Sequence, residues 1–196
     1  MLIRTTIPAL AILLLVTAGA SAAAPTSSSR KTSPPDTSFL GPPGVRRFQA
    51  RDTLDPGPES SADASQCLQG LTWPPGKFSV HCEKPTDRRG EVLLRFPSPV
   101  QTGDADNDRV AVEWYVAGMD TGQAKRSRAV VVVHESGRGM TVGRLFAATL
   151  RKEGLHAFMV QLPGYGHRVG PERRVPSERL FNRLRQAIAD VRRTRD

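Results

Sequence analysis

The sequence lacks most of what several functional classes require. Its 196 residues hold two cysteines and no cluster of histidines, too few ligands for a zinc site. No Gly-rich phosphate loop and no dinucleotide fingerprint occurs, so no cofactor is implied. There is no internal repeat. The longest apolar run, IPALAILLLV at residues 7–16, is ten residues long, and about 20 are needed to span a bilayer. Aromatic residues are scarce at 6%. The basic residues are mostly arginine, spread along the chain and not interleaved with aromatics. This reads as a solvated surface and not as a nucleic-acid footprint.

What is present begins with an export signal. Arg4 supplies a positive start, residues 7–16 the apolar stretch, and Ala20-Ser21-Ala22 a small-x-small cleavage pattern. Residues 1–22 are read as a signal peptide, which predicts an exported (periplasmic or secreted) protein with no membrane attachment after cleavage. No cysteine follows the apolar stretch, so a lipid anchor is not indicated. The chain carries 28 basic and 19 acidic residues, a formal net charge of +9. Such a balance suits an anionic partner or surface. An oxidising compartment makes Cys67 and Cys82 a candidate disulfide; two unpaired thiols, one of them buried on a strand, is the other reading.

Composition divides the rest. Residues 23–65 are rich in Pro, Ser, Gly and Asp, with apolar side chains too sparse to offset the entropy of ordering, and read as a disordered linker. Phe39, Leu40, Val45 and Phe48 are its few candidates for weak docking. Order is expected from about residue 66. Phe78, Val80 and Cys82 alternate with polar residues as in a half-buried strand. EVLLRF at residues 91–96 is a second strand. A third is RVAVEWYVA at residues 109–117, with Val110, Val112, Trp114 and Val116 on one face. Turn residues separate these segments, so they are expected to pair antiparallel.

The pattern changes at Ala129. AVVVV is a continuous β-branched run, as in a central strand buried on both faces. Thr141 is a candidate N-cap for a helix whose Val142, Leu145, Phe146, Thr149 and Leu150 recur at helical spacing, with Gly154 ending it. A further apolar strand runs from Leu155 to Leu162. Strand, helix, strand with short connections makes a parallel βαβ unit. Pro176-Ser177 opens a last helix carrying Leu180, Phe181, Leu184, Ile188 and Val191 on one face. The expected fold class is therefore α/β: antiparallel N-terminal strands leading into a parallel βαβ unit and a C-terminal helix.

Ligands in such sheets bind beyond the carboxyl ends of parallel strands. His134-Glu135-Ser136-Gly137 stands at one such end and Pro163-Gly164-Tyr165-Gly166-His167-Arg168 at the next. The first loop is a natural place for backbone N–H groups that hold an oxyanion. At this spacing VVVVHESG resembles the strand and His-Gly-type oxyanion loop of the α/β-hydrolases, and LPGYGHR is similar to their D-x-P-G-x-G-x-S loop. From about Phe78 onward the chain resembles the N-terminal half of that family. The His-Glu pair is most similar to its dienelactone-hydrolase branch.

The resemblance implies a partial α/β-hydrolase fold, residues 66–196. It implies ester or lactone hydrolysis of a small molecule, with no cofactor and no metal. His134, Glu135, Ser136 and Gly137 would form the oxyanion-loop region, and Gly164, Tyr165 and Gly166 the pocket rim. Gln161 departs from the family's usual Asp, and Glu135 from the commoner Gly. The nucleophile elbow G-x-S-x-G, or its Cys version, does not occur in the sequence. No catalytic residue is assigned. Ser136 lacks the elbow context. His134 is expected to orient the loop. Glu135 either contacts a nucleophile or pairs with an arginine, and Tyr165 either lines the pocket or caps the core.

His81 and His156 read as strand or turn residues without a partner. Asp104, Asp106 and Asp108 mimic a calcium loop, but Arg109 stands where its Gly is needed and Tyr115 where its Glu is needed. A four-valine strand with one open edge is an aggregation hazard. The expectation is accordingly a longer exported hydrolase of which this is the N-terminal part, inactive as it stands. The alternative is a non-catalytic exported binding protein using its arginine-rich surface.

Overall fold

Alternation of apolar side chains on three successive segments builds most of one sheet. The computed structural model describes residues 46–54, 57–86, 89–117, 126–170 and 177–196, with side chains in the last stretch from Leu180. Residues 1–22, expected to be a signal peptide, and residues 23–45 lie outside the described residues. The strands are β1 (Arg46–Arg51), β2 (Lys77–Glu83), β3 (Val92–Pro97), β4 (Arg109–Tyr115), β5 (Ala129–Val133) and β6 (His156–Gln161). The helices are α1 (Ala62–Leu68), α2 (Thr141–Lys152) and α3 (Ser177–Arg195), and Gly166–Arg168 makes a 3₁₀ turn.

The six strands form one mixed sheet in the order β1-β2-β3-β4-β6-β5. All neighbours are antiparallel except β5 and β6, which are parallel and joined through α2. Successive side chains point to opposite faces. One face carries Phe78, Val80 and Cys82 of β2, Leu94 and Phe96 of β3, and Val110, Val112 and Trp114 of β4 in a single buried cluster. Val191 of α3 packs on this cluster. The other face carries Ala157 and Met159 of β6 with Val132 of β5, closed by Ala147 of α2.

Several expectations are corrected here. The expected linker contains a strand: β1 pairs with β2 from Arg46↔Cys82 to Arg51↔Lys77, contributing backbone pairing more than apolar burial. Asp52 just after β1 is buried against Arg193 of α3, with Oδ2 2.6 Å from the guanidinium. Cys67 and Cys82 are both free thiols. Cys67 is exposed on α1, while Cys82 points into the core from β2. Burial raises the Cys82 thiol pKa.

Among the described residues β5 stands at the sheet edge, with the open side expected of it but without burial on both faces. β6 is its one partner among the described residues, and Val133 is 51% exposed. The helices also turn the unexpected way. α2 buries Gly143 and Ala147 and leaves Val142, Leu145 and Phe146 exposed. α3 buries Gln186, Ala189, Asp190 and Arg193, and exposes Leu180, Phe181, Leu184 and Ile188. Most of each helical stripe faces away from the sheet; Leu150 and Val191 are the members that pack against its clusters.

Candidate oxyanion loop and pocket rim

The site is built where β5 and β6 end. His134 follows the last residue of β5 and is buried. Its Nε2 accepts the N–H of Leu162, which follows β6, at 3.1 Å. That acceptor role puts the proton on Nδ1, which donates to the Glu135 carbonyl. Nε2 thus ties the two strand ends together, while Nδ1 is engaged within the first loop. His134 orients the loop and has no lone pair free to deprotonate a serine.

The second staple is Tyr165. Its ring meets His134 edge-on, with centroids 4.6 Å apart, and its hydroxyl donates to the Ser136 carbonyl at 2.9 Å. Tyr165 packs on the α2-side core and also lines a cavity of about 330 Å3 with Arg138, Gly164, Gly166 and Arg183. Gly164, at φ +83°, takes a left-handed conformation, and a Cβ there would lie 2.7 Å from the Arg183 guanidinium.

Glu135 takes a role outside both sequence readings. Its carboxylate accepts the N–H of Val142 at 3.1 Å and of Gly143 at 3.0 Å. It caps α2 from seven and eight residues upstream, at the positive end of the helix dipole. Thr141, expected as the cap, is instead the first helical residue; Met140 before it is left-handed, at φ 49°. The Gly143 N–H, followed by the other backbone donors of this turn, holds the Glu135 carboxyl below its ordinary pKa. Glu135 pairs with no arginine among the described residues.

Gly143 makes the arrangement possible. A Cβ at that position would lie 2.6 Å from the His134 Cβ and 2.8 Å from its Cα. Only a bare glycine lets the first turn of α2 rest on the loop. Gly137 closes the loop, its carbonyl accepting the Met140 N–H at 2.9 Å. Ser136 is exposed. Its hydroxyl pairs with neither His134 nor His167 among the described residues, so the loop holds no nucleophile–base pair.

Beneath the rim lie buried polar groups that the sequence reading passed over. Glu113, on the apolar strand β4, is buried and receives the Arg144 guanidinium at 2.6 Å, the Tyr115 hydroxyl at 3.0 Å and the Gln161 amide at 2.9 Å. Desolvation, followed by the Glu113 charge, raises the Tyr115 phenol pKa. Gln161, at the position where the hydrolases carry Asp, accepts the His167 N–H at 2.7 Å and so shapes the second loop.

Arg168 ends that loop fully buried, donating to the Gln161 carbonyl at 3.0 Å and pairing with Asp190 of α3 at 2.8 Å. The one sequence signal for this layer was Glu113, a charge within VAVEWYV. His156, expected to lack a partner, accepts from Trp114 Nε1 at 3.2 Å and from the Ala117 N–H at 3.1 Å.

Asp104 and Asp108 serve the loop before β4. Asp108 accepts the N–H groups of Thr102 and Gly103, and Asp104 those of Asp106 and Asn107. No group of three or more His, Cys, Asp or Glu side chains among the described residues is arranged to hold a metal. Comparison with known protein families, with characterised proteins and with solved structures finds no match to this chain.

Proposed function

We propose that this chain is the oxyanion-loop layer of an exported α/β-hydrolase that cleaves a small ester or lactone. In this reading a Ser or Cys nucleophile is carried on a strand laid against the outer edge of β5. The observation that carries the reading is the pair of loops at the ends of the two parallel strands, stapled by His134 and Tyr165. In the α/β-hydrolase order, the strand before the oxyanion loop lies between two neighbours. One neighbour is the strand after the next helix, the place β6 takes here. The other precedes the nucleophile elbow, and among the described residues β5 leaves that edge open. The outward apolar faces of α2 and α3 are the kind of surface further helices of such a domain would cover.

The chain end constrains how such a strand arrives. Asp196 accepts the Thr53 N–H at 3.1 Å, beside the residues that leave β1. The β1 edge is separated from β5 by five strand spacings, about 24 Å at roughly 4.8 Å each. A strand reaching β5 from there needs a connection of about seven extended residues or more. In this reading such a connection separates that strand from α3.

The test is covalent labelling of the protein as its source exports it, with a fluorophosphonate for serine and a chloroacetamide for cysteine. The adduct should map to a G-x-S-x-G-type peptide, or its Cys version, outside these 196 residues. The 196-residue chain alone should hydrolyse p-nitrophenyl acetate no faster than buffer. Labelling of Ser136 would contradict the proposal.

A further inference from the structure

The face of the sheet opposite the main core is covered by α2 only over β4, β6 and β5. Over β1, β2 and β3 it forms an open groove of about 780 Å3. The register lines up Arg47 of β1 with His81 of β2, and His81 with Arg95 of β3. Arg109 of β4 and Lys77 of β2 line the same groove. Arg47 and Arg95 thus stand two strand spacings apart, about 10 Å at roughly 4.8 Å each, with His81 between them, and the face gathers positive charge that an anion would offset.

Arg95 is the centre of the row and the least satisfied member. Its side chain is 9% exposed, yet its Nε is buried without a hydrogen-bond partner. Among the described residues its guanidinium makes one bond, a long one, Nη1 to the His167 carbonyl at 3.4 Å. A buried cation with an empty donor is costly, and natural structures rarely leave one without a reason. Glu83 and Asp106 act on Arg95 only through space, and among the described residues no acid of the groove hydrogen-bonds it. Glu83 is bound to Arg109 at 3.0 Å, and Asp108 accepts from Thr102, Gly103 and Gln186.

We infer that this groove binds a tetrahedral oxyanion, a phosphate or sulfate group, with Arg95 as its central contact and Arg47 and Arg109 at its sides. Four cations against two carboxylates leave a surplus of two positive charges in the lining, which matches a dianion. Guanidinium groups present paired N–H donors to such oxygens and prefer them to point charges. The site meets the β5–β6 rim through the Arg95–His167 bond alone and stands independently of the hydrolase reading.

Isothermal titration of the full chain with inorganic phosphate and with phenyl phosphate, at constant ionic strength, tests this. Saturable one-to-one binding is expected. Arg95→Met should weaken it by about tenfold or more, the loss expected for a charged hydrogen-bonding partner. Arg47→Met, on the exposed edge strand where folding is not at stake, should weaken it severalfold. Arg192→Met on α3 should leave it unchanged. Tighter binding of phenyl phosphate would place the oxyanion on a larger molecule; equal binding would make the free ion sufficient. No saturable binding of either, or equal losses in all three variants, would overturn the assignment.

Discussion

Arg168 Nη2 and Asp190 Oδ2 stand 2.8 Å apart with no solvent reaching either side chain. The pair joins the end of the second rim loop to the middle of α3. Without it, the polar face of α3 would have little reason to be the buried one. Ser98 donates to the other oxygen of Asp190 at 2.6 Å. Removing one member of a buried pair costs about 3–5 kcal/mol, because the survivor is left uncompensated.

Desolvation nevertheless outweighs Arg168 and Ser98 and pushes the Asp190 carboxyl up to about 6 from its ordinary 3.8. The native state then holds a proton between about pH 4 and pH 6 that the unfolded chain has released. Stability from this group is present below pH 4 and is lost as pH rises through 6. Asp190→Asn removes that dependence. The stability of the native chain relative to the variant should therefore decline from pH 4 to pH 6 and be flat above. Urea unfolding across this range measures it, and a difference that grew with pH would reverse the account of this pair.

Glu135 has the opposite sign. The Gly143 and Val142 N–H groups depress its pKa, so its contribution is present above the ordinary 4.5 and is lost as pH falls through the lower folded value. Glu135→Gln should lower the melting temperature at neutral pH, and the gap should close in acid. Gly143→Ala should also destabilise, despite alanine's better helix propensity, because its Cβ meets the His134 backbone. Thermal melts of both variants from pH 3 to pH 7 check this. A pH-independent gap for Glu135→Gln would mean that its carboxylate does not cap α2.

The outward faces of the helices give a third prediction. Leu145 and Phe181 are 66% and 72% exposed. Leu145→Glu and Phe181→Glu should each change stability by no more than about 0.5 kcal/mol, as for surface positions. The 196-residue chain should self-associate through its apolar helix faces and the β5 edge. The double variant should do so less, as read by sedimentation velocity. A large loss of melting temperature in either variant would mean that these side chains belong to the core.

Sequence patterning made the strands legible and the helix faces illegible, for one physical reason. Alternation on β2 and β4 reports a face that is buried by the strand's own sheet and its cover, so Phe78, Val80, Val110 and Val112 lie where their spacing puts them. An apolar stripe on a helix reports only that something must cover it. On α2 the closest approach to the sheet is made by Gly143 and Ala147, whose smallness allows it, while Val142, Leu145 and Phe146 face outward. On α3 the contact is made by polar groups whose partners, Arg168, Ser98 and Asp52, lie far away in sequence. β1 was missed because Arg46-Arg47-Phe48-Gln49-Ala50-Arg51 carries little apolar signal and is recruited by pairing with β2. Of the site, the two loops were visible as motifs at strand ends. The capping by Glu135 was not, because it depends on how α2 lies across the loop.

The most direct measurement is the intact mass of the protein isolated from its source, with its C-terminal peptide sequenced. The account predicts a mass well above the 21.3 kDa of these 196 residues. It also predicts an elbow-bearing strand among the additional residues. A protein that ends at Asp196 would contradict the hydrolase reading and leave the arginine groove as the feature to pursue.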